Sequence, residues 1–259
     1  MQRLVLAIDV GGTKLATGIV DAAGAVAGYV ELPTPAADAE TIFGQLRAAI
    51  ARSLDATGVP ASRLEGVGVG CGGPMRYPEG RVSPLNIPGW RDFPLRARLA
   101  EALGCPVVVD NDAKAMALGE HWRGAGQGAR CLLGMVVSTG VGGGIVVDGR
   151  LLHGAQGNAG HIGHVIVAPN GPRCPCGARG CVEAVASGPS IARADPSRCR
   201  PCVQVASTPG TKRPIGRSID ILSISSCGRA RLPTWVVNSR SVLRFMAALR
   251  DYRCAHLLG

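Results

Sequence analysis

His164, Cys174, Cys176 and Cys181 carry the soft nitrogen and sulfur donors of a tetrahedral zinc site, in the order His-x9-Cys-x-Cys-x4-Cys. Thiolates favour zinc over magnesium or calcium. Four protein ligands close the coordination shell, so the site reads as structural rather than catalytic. Gly177 and Gly180 let the chain turn tightly enough for Cys176 and Cys181 to face one ion. A zinc of this kind supplies on the order of 10 kcal/mol, enough to hold a loop with little apolar content of its own. His161 and Glu183, polar neighbours that the metal does not need, are then held in place as candidates to touch a substrate. The competing reading is a loop of reduced thiols with a histidine nearby.

Two glycine-bearing stretches have the makings of phosphate sites. The β-prone run 4–8 ends in Asp9-Val10-Gly11-Gly12-Thr13-Lys14. The glycines let backbone N–H groups approach an anion, Thr13 and Lys14 add donors, and Asp9 suits Mg²⁺ directly or through water. The spacing is not that of a Walker loop, and an ordinary hairpin turn is the alternative. The second stretch, Thr139-Gly140-Val141-Gly142-Gly143-Gly144, lies between an apolar strand at 131–137 and a return strand at 145–147. Its alternative is a glycine-rich hairpin turn.

Between them, an apolar strand at 106–109 runs into Asp110-Asn111-Asp112, and a helix follows over 113–122. Ligands in open α/β sheets collect at the carboxyl ends of strands. A carboxylate there can take a proton from an alcohol that Asn111 orients. Helix capping by Asn111 or Asp112 is the other role for these residues.

The remaining elements position these groups. A second strand covers 17–21, with a turn at 22–24. Apolar residues at 42, 46, 49, 50 and 54 give a helix over 36–54. A buried strand at 66–71 enters a glycine turn, and a proline-bracketed loop at 83–90 carries Asn86. Asp148-Gly149 is a hairpin turn. The 259 residues are 46% apolar and allow one large domain or two small ones. Aromatics are 3%, which disfavours base-stacking platforms, and no run is long and apolar enough for a signal peptide or membrane span. A cytoplasmic protein with free or metal-bound thiols is expected.

Asp9-x-Gly-Gly-Thr-Lys14, Asn111-Asp112-Ala113, Thr139 to Gly144, Gly163-His164 and Cys-x-Cys-x4-Cys-x-Glu183 occur in the order found in the ROK family of sugar kinases and repressors, which this chain resembles over about 3–192. The resemblance implies an actin-like, ribonuclease-H-like α/β fold of two lobes, with ATP and sugar in the cleft, and phosphoryl transfer from MgATP to a hexose or N-acetylhexosamine hydroxyl, usually the 6-hydroxyl. It implies Asp112 as catalytic base. Asp9, Gly11, Gly12, Thr13 and Lys14 would form one phosphate loop; Thr139, Gly140, Gly142 and Gly143 the other. Asn86, Asn111, His164 and Glu183 would contact sugar, with His164 serving zinc as well. The family commonly has Glu at the place of His161, which bears on sugar choice, and often Asn at the place of Lys114, which should lie silent on the helix after the base. Dimers or tetramers are common in the family. Its repressors carry a helix-turn-helix ahead of the first loop, whereas this chain starts at that strand.

The expected division is a first lobe at 1–117, a partial second lobe with the zinc loop at 118–192, and an atypical, poorly ordered tail at 193–259. Twelve of the 28 Lys/Arg but three of the 18 Asp/Glu lie from Arg193 onward, so the tail carries +9 and the rest +1. No Glu follows Glu183. The abrupt change reads as an out-of-frame translation or degraded end that leaves the second lobe incomplete. A basic tail can bind nucleic acid, but it lacks aromatic interleaving and a recognisable fold, so a nucleic-acid partner is not expected.

Overall fold

Alternation along the first strand sets the architecture. In β1 (Leu4–Val10), Leu6, Ile8 and Val10 face one way and Val5 and Ala7 the other, and all five are buried. A strand buried on both faces needs a layer on each side. The computed structural model describes residues 3–194 in full and, beyond them, the backbone of two strands, β11 (Ile219–Ile224) and β12 (Thr234–Val237).

β2 (Lys14–Asp21) and β3 (Val26–Pro33) continue from β1 as antiparallel neighbours. β4 (Gly66–Cys71) and β7 (Val107–Asn111) run parallel to β1, giving the order β3-β2-β1-β4-β7. This is the actin-like, ribonuclease-H-like arrangement that the motifs implied. One face packs on α1 (Ala39–Thr57), which buries Ile42, Phe43, Leu46, Ala49 and Ile50 at helical spacing, and on α2 (Leu95–Leu103). Asp38 caps α1 by accepting from Thr41 N, and Gly58 ends it in the left-handed conformation. A two-strand ribbon, β5 (Met75–Arg76) and β6 (Arg81–Val82), precedes the Asn86 loop.

The other face of the first sheet packs on α3 (Asp112–Arg123). Behind α3 lies a second sheet, in which β8 (Cys131–Val137) pairs with β9 (Val141–Val147), and β9 with β10 (Arg150–Leu151) across the Asp148-Gly149 turn. Asp148 and Gly149 both have positive φ, as the hairpin reading requires. A boundary at 117 would cut α3, whose Met116 and Leu118 share one core with Val5 and Val108 of the first sheet and Leu132 and Val146 of the second.

One expectation is corrected here. The loop expected over 138–144 is only the turn 138–140, and Gly142, Gly143 and Gly144 lie inside β9 opposite Val136, Met135 and Gly134. The glycines admit the helix: a Cβ on Gly142 would come within 2.7 Å of Ala113 Cβ, and one on Gly144 within 2.8 Å of Ala117 Cβ. Beyond 194, the backbone of β11 pairs antiparallel with β8 and β12 with β11, giving the order β10-β9-β8-β11-β12. The β-prone run Ile219-Asp220-Ile221-Leu222 supplies the reason. The rest of the reading of 195–259 falls outside the described residues.

Candidate active site

Period-2 alternation places Asp9 of β1 and Asp110 of β7 on the α3 side, at the carboxyl ends of parallel strands. The β1–β2 connection closes on itself: Gly11 N donates to Lys14 O (2.9 Å), and Thr34 Oγ1 donates to Gly11 O (2.7 Å). Gly12 lies so close to Asn86 that a Cβ would sit 2.4 Å from Asn86 Cβ, which brings the first loop and the Asn86 loop together. Lys14 Nζ is 3.3 Å from Glu31 Oε2, while Thr13 is exposed at the turn.

The β7–α3 junction carries three consecutive polar residues, Asp110, Asn111 and Asp112. Asn111 caps α3, its Oδ1 accepting from Ala113 N (3.0 Å) and Lys114 N (3.3 Å). Capping was one of two roles open for it, and it leaves the amide N–H groups for a ligand. Asp112 Oδ1 accepts from Ala113 N (2.8 Å), and the residue keeps one side open to solvent. Protein packed around its other side raises its pKa, against the Ala113 N–H bond and the nearby His161, which lower it.

Asp9 is pushed up to about 7, first by burial and then by the charge of Asp112, with Lys14 opposing. Its folded-state pKa lies above the unfolded value, so its contribution to stability is full below about pH 4 and is lost as pH rises through about 7. Without Mg²⁺, Asp9→Asn is expected to be more stable than the parent at pH 8, by on the order of a few kcal/mol, and indistinguishable from it at pH 4. Urea midpoints at the two pH values check this; an equal gap at both contradicts it.

Glu183 lies where the Cys/His loop, 164–181, meets the second turn. Its Oε2 accepts from Val141 N (2.9 Å), and a Cβ on Gly140 would come within 2.5 Å of that oxygen. Gly188 N donates to Ser138 O (2.8 Å). The segment α4 (Val182–Ala186) and α5 (Gly188–Ala194) therefore holds the 138–140 turn, and exposed Thr139 is at its tip. Holding this turn was not foreseen for Glu183.

The ligand atoms of His164, Cys174, Cys176 and Cys181 all lie within 4.8 Å of one another. Cys174 Sγ is 3.7 Å from His164 Nδ1, and Cys176 Sγ is 3.7 Å from Cys181 Sγ. Tetrahedral zinc–thiolate bonds of about 2.3 Å place two sulfurs about 3.8 Å apart, so donor set and spacing both fit the ion. Gly177 and Gly180 have φ of +96° and +67°, as the tight turn demands, and a Cβ on Gly180 would overlap Ala168 O. The Ala178 N–H bond and then the neighbouring thiols lower the Cys176 pKa; burial and the same neighbours push Cys181 up to about 12.

His161 opens the 3-10 turn Ile162–His164. Its Nε2 is buried with no hydrogen-bond partner in the protein. Burial, then the charges of Lys114 and His164, hold its pKa below the usual value.

Sequence reasoning misjudged Lys114 and passed over its partners. Lys114 is fully buried: its Nζ donates to Gly157 O (2.9 Å) and lies 3.2 Å from Asp110 Oδ1 and 3.3 Å from His153 Nδ1. His153 Nδ1 is 3.2 Å from Asp110 Oδ2, bent away from a full hydrogen bond, and its ring stacks on Tyr77 with centroids 4.4 Å apart. Burial raises the Asp110 pKa, but His153, Lys114 and the Asn111 N–H together bring it below the usual carboxylate value.

Among the described residues no helix is long and apolar enough to cross a membrane. The chain is 43% identical over 195 residues to a glucokinase of Halalkalibacterium halodurans, covering 74% of this chain and 59% of the relative. It is 42% identical over 192 residues to an N-acetylmannosamine kinase of Citrobacter koseri, covering 73% and 63%. It thus spans about three fifths of the length of these relatives. The solved ROK family glucokinase from Streptomyces griseus, in complex with glucose and AMPPNP, superposes with a TM-score of 0.64 at 37% identity, over 76% of this chain and 64% of that one. The ROK family model matches residues 5–205, beyond the point near 192 where the motifs ended, and the chain belongs to the ROK family.

Proposed function

We propose that the chain transfers the γ-phosphoryl group of ATP to a hydroxyl, the 6-hydroxyl, of a hexose or N-acetylhexosamine. The observation that carries this reading is the junction of β7 and α3. It presents a solvent-reachable carboxylate, Asp112, beside a buried imidazole nitrogen without a partner and near the carboxylate of Asp9. Asp112 Oδ1 is engaged by a backbone N–H, which leaves Oδ2 to take the hydroxyl proton as the sugar oxygen attacks phosphorus. The raised pKa of Asp112 makes it a better proton acceptor near neutral pH. Phosphoryl transfer needs positioning and charge neutralisation more than covalent chemistry.

The remaining residues serve those two needs. Asn111 donates from its amide, and Asn86 approaches from the loop packed on Gly12. His161, uncharged near neutral pH, offers Nε2 to a sugar hydroxyl as donor or acceptor. Thr13 and Lys14 on one side, and Thr139 and Gly140 on the other, would meet the nucleotide phosphates, and Asp9 would hold Mg²⁺, which would shield phosphate charge. Zinc, bound by His164, Cys174, Cys176 and Cys181, fixes the loop that carries His161 and Glu183. Glucokinases and N-acetylmannosamine kinases among the relatives support this substrate class.

A second reading is sugar binding without transfer. A coupled ADP-release assay over glucose, mannose, N-acetylglucosamine and N-acetylmannosamine, alongside calorimetric sugar titrations, separates the two. Sugar-dependent ADP release is the expected result. Binding without release selects the second reading, and neither signal overturns both.

A further inference from the structure

The most constrained charge outside the residues given roles above is Lys114. A fully buried ammonium costs several kcal/mol unless it is paired and hydrogen-bonded, so the fold keeps it only if its partners are held closely. Those partners come from three places: Asp110 at the end of β7, Gly157 and His153 in the segment after β10, and, through His153, Tyr77 beside the β5–β6 ribbon. The two sheets meet here across α3. Tyr77 stacks on His153, with Tyr77 Oη 3.2 Å from His153 Nε2, and the Lys114 ammonium lies 5.5 Å from the centre of the Tyr77 ring. A Cβ on Gly157 would be 2.8 Å from Tyr77 Cβ, so that segment is pressed on the tyrosine.

The segment 153–161 ends at His161. Ala159 N donates to His153 O (2.9 Å), His161 N donates to Asn158 O (3.3 Å), and Gly160 packs on Gly144 so closely that a Cβ would be 2.9 Å from its Cα. His161 Nε2 makes no bond that could orient its ring. This backbone carries the ring, and the side chain that grips it from α3 is Lys114, two residues after Asp112. We propose that Lys114, clasped by Asp110, His153 and Tyr77, is a positioning residue that fixes the 153–161 segment and so sets His161 against the sugar opposite Asp112. This rests on the function proposed above.

The test uses the full chain and two variants that both remove the buried charge pair: Asp110→Asn/Lys114→Gln, which keeps a donor for Gly157 O, and Asp110→Asn/Lys114→Met, which does not. Amide hydrogen exchange over 153–161 reads the clasp without any activity. Sugar KM, ATP KM and kcat read its effect on the site. In the Met double variant, exchange over 153–161 is expected to rise about tenfold above the parent with β1 and α1 unchanged, and sugar KM to rise about tenfold with ATP KM within about twofold. The Gln double variant should stay within about threefold of the parent on both readouts. Equal behaviour of the two variants, or faster exchange spread evenly over the chain, overturns the proposal. If the parent shows no sugar binding or phosphorylation, the proposed function fails, and unchanged exchange in the Met variant would then remove the clasp as well.

Discussion

Asp112→Asn is expected to lower sugar-dependent ADP release by about 10²–10⁴-fold, with the dissociation constants of sugar and ATP nearly unchanged. Asn preserves the shape and can still accept from Ala113 N, so the start of α3 should survive. What it cannot do is take the hydroxyl proton. Because burial raises the Asp112 pKa, the acid limb of the parent's pH–rate profile should lie above the ordinary carboxylate range, with rate lost as pH falls and the base is protonated. Turnover within about threefold of the parent would remove Asp112 from the chemistry. Weakened sugar binding with unchanged kcat would make it a binding residue instead.

Loss of zinc should have the second largest effect. Cys174 and Cys181 are buried at the base of a segment shaped by two positive-φ glycines, and a structural zinc held there would contribute on the order of 10 kcal/mol. Chelation, or Cys181→Ser, is expected to lower the melting temperature, open 165–183 to protease and end sugar-dependent turnover. The effect should reach the 138–140 turn, because Glu183 follows Cys181 by two residues and accepts from Val141 N. Zinc uptake should release protons and weaken as pH falls, since the Cys181 thiol, at about 12, must give up its proton to bind. Purified protein with one zinc per chain is the expected elemental result. Zinc-free protein with an unchanged melting temperature would contradict it.

The strand-to-helix junction at Asp112 and the clustering of His164, Cys174, Cys176 and Cys181 were legible in the sequence because their signals are local. A β-prone run ending in polar residues before a helix needs only period and propensity, and four soft donors at short spacing need only coordination chemistry. The glycines at 142–144 misled for a physical reason. Local rules give a glycine run to a turn, whereas here the missing side chains admit Ala113 and Ala117 of α3, a demand set by packing between distant segments. Lys114 misled in the same way: a lysine after a helix start reads as solvated until a buried Asp110 and a carbonyl 43 residues later surround it. The grip of Glu183 on Val141 N was not legible, because it depends on how the 164–183 segment folds back on the second sheet.

The most direct test of the account is the product itself. Zinc-replete chain should be incubated with MgATP and each sugar, and the sugar fraction analysed by mass and phosphorus NMR. The account predicts a monophosphate on the 6-oxygen of a hexose or N-acetylhexosamine, formed by the parent and reduced to trace by Asp112→Asn. ATP consumed with no phosphorylated sugar, or the same product from both proteins in equal amount, would contradict it.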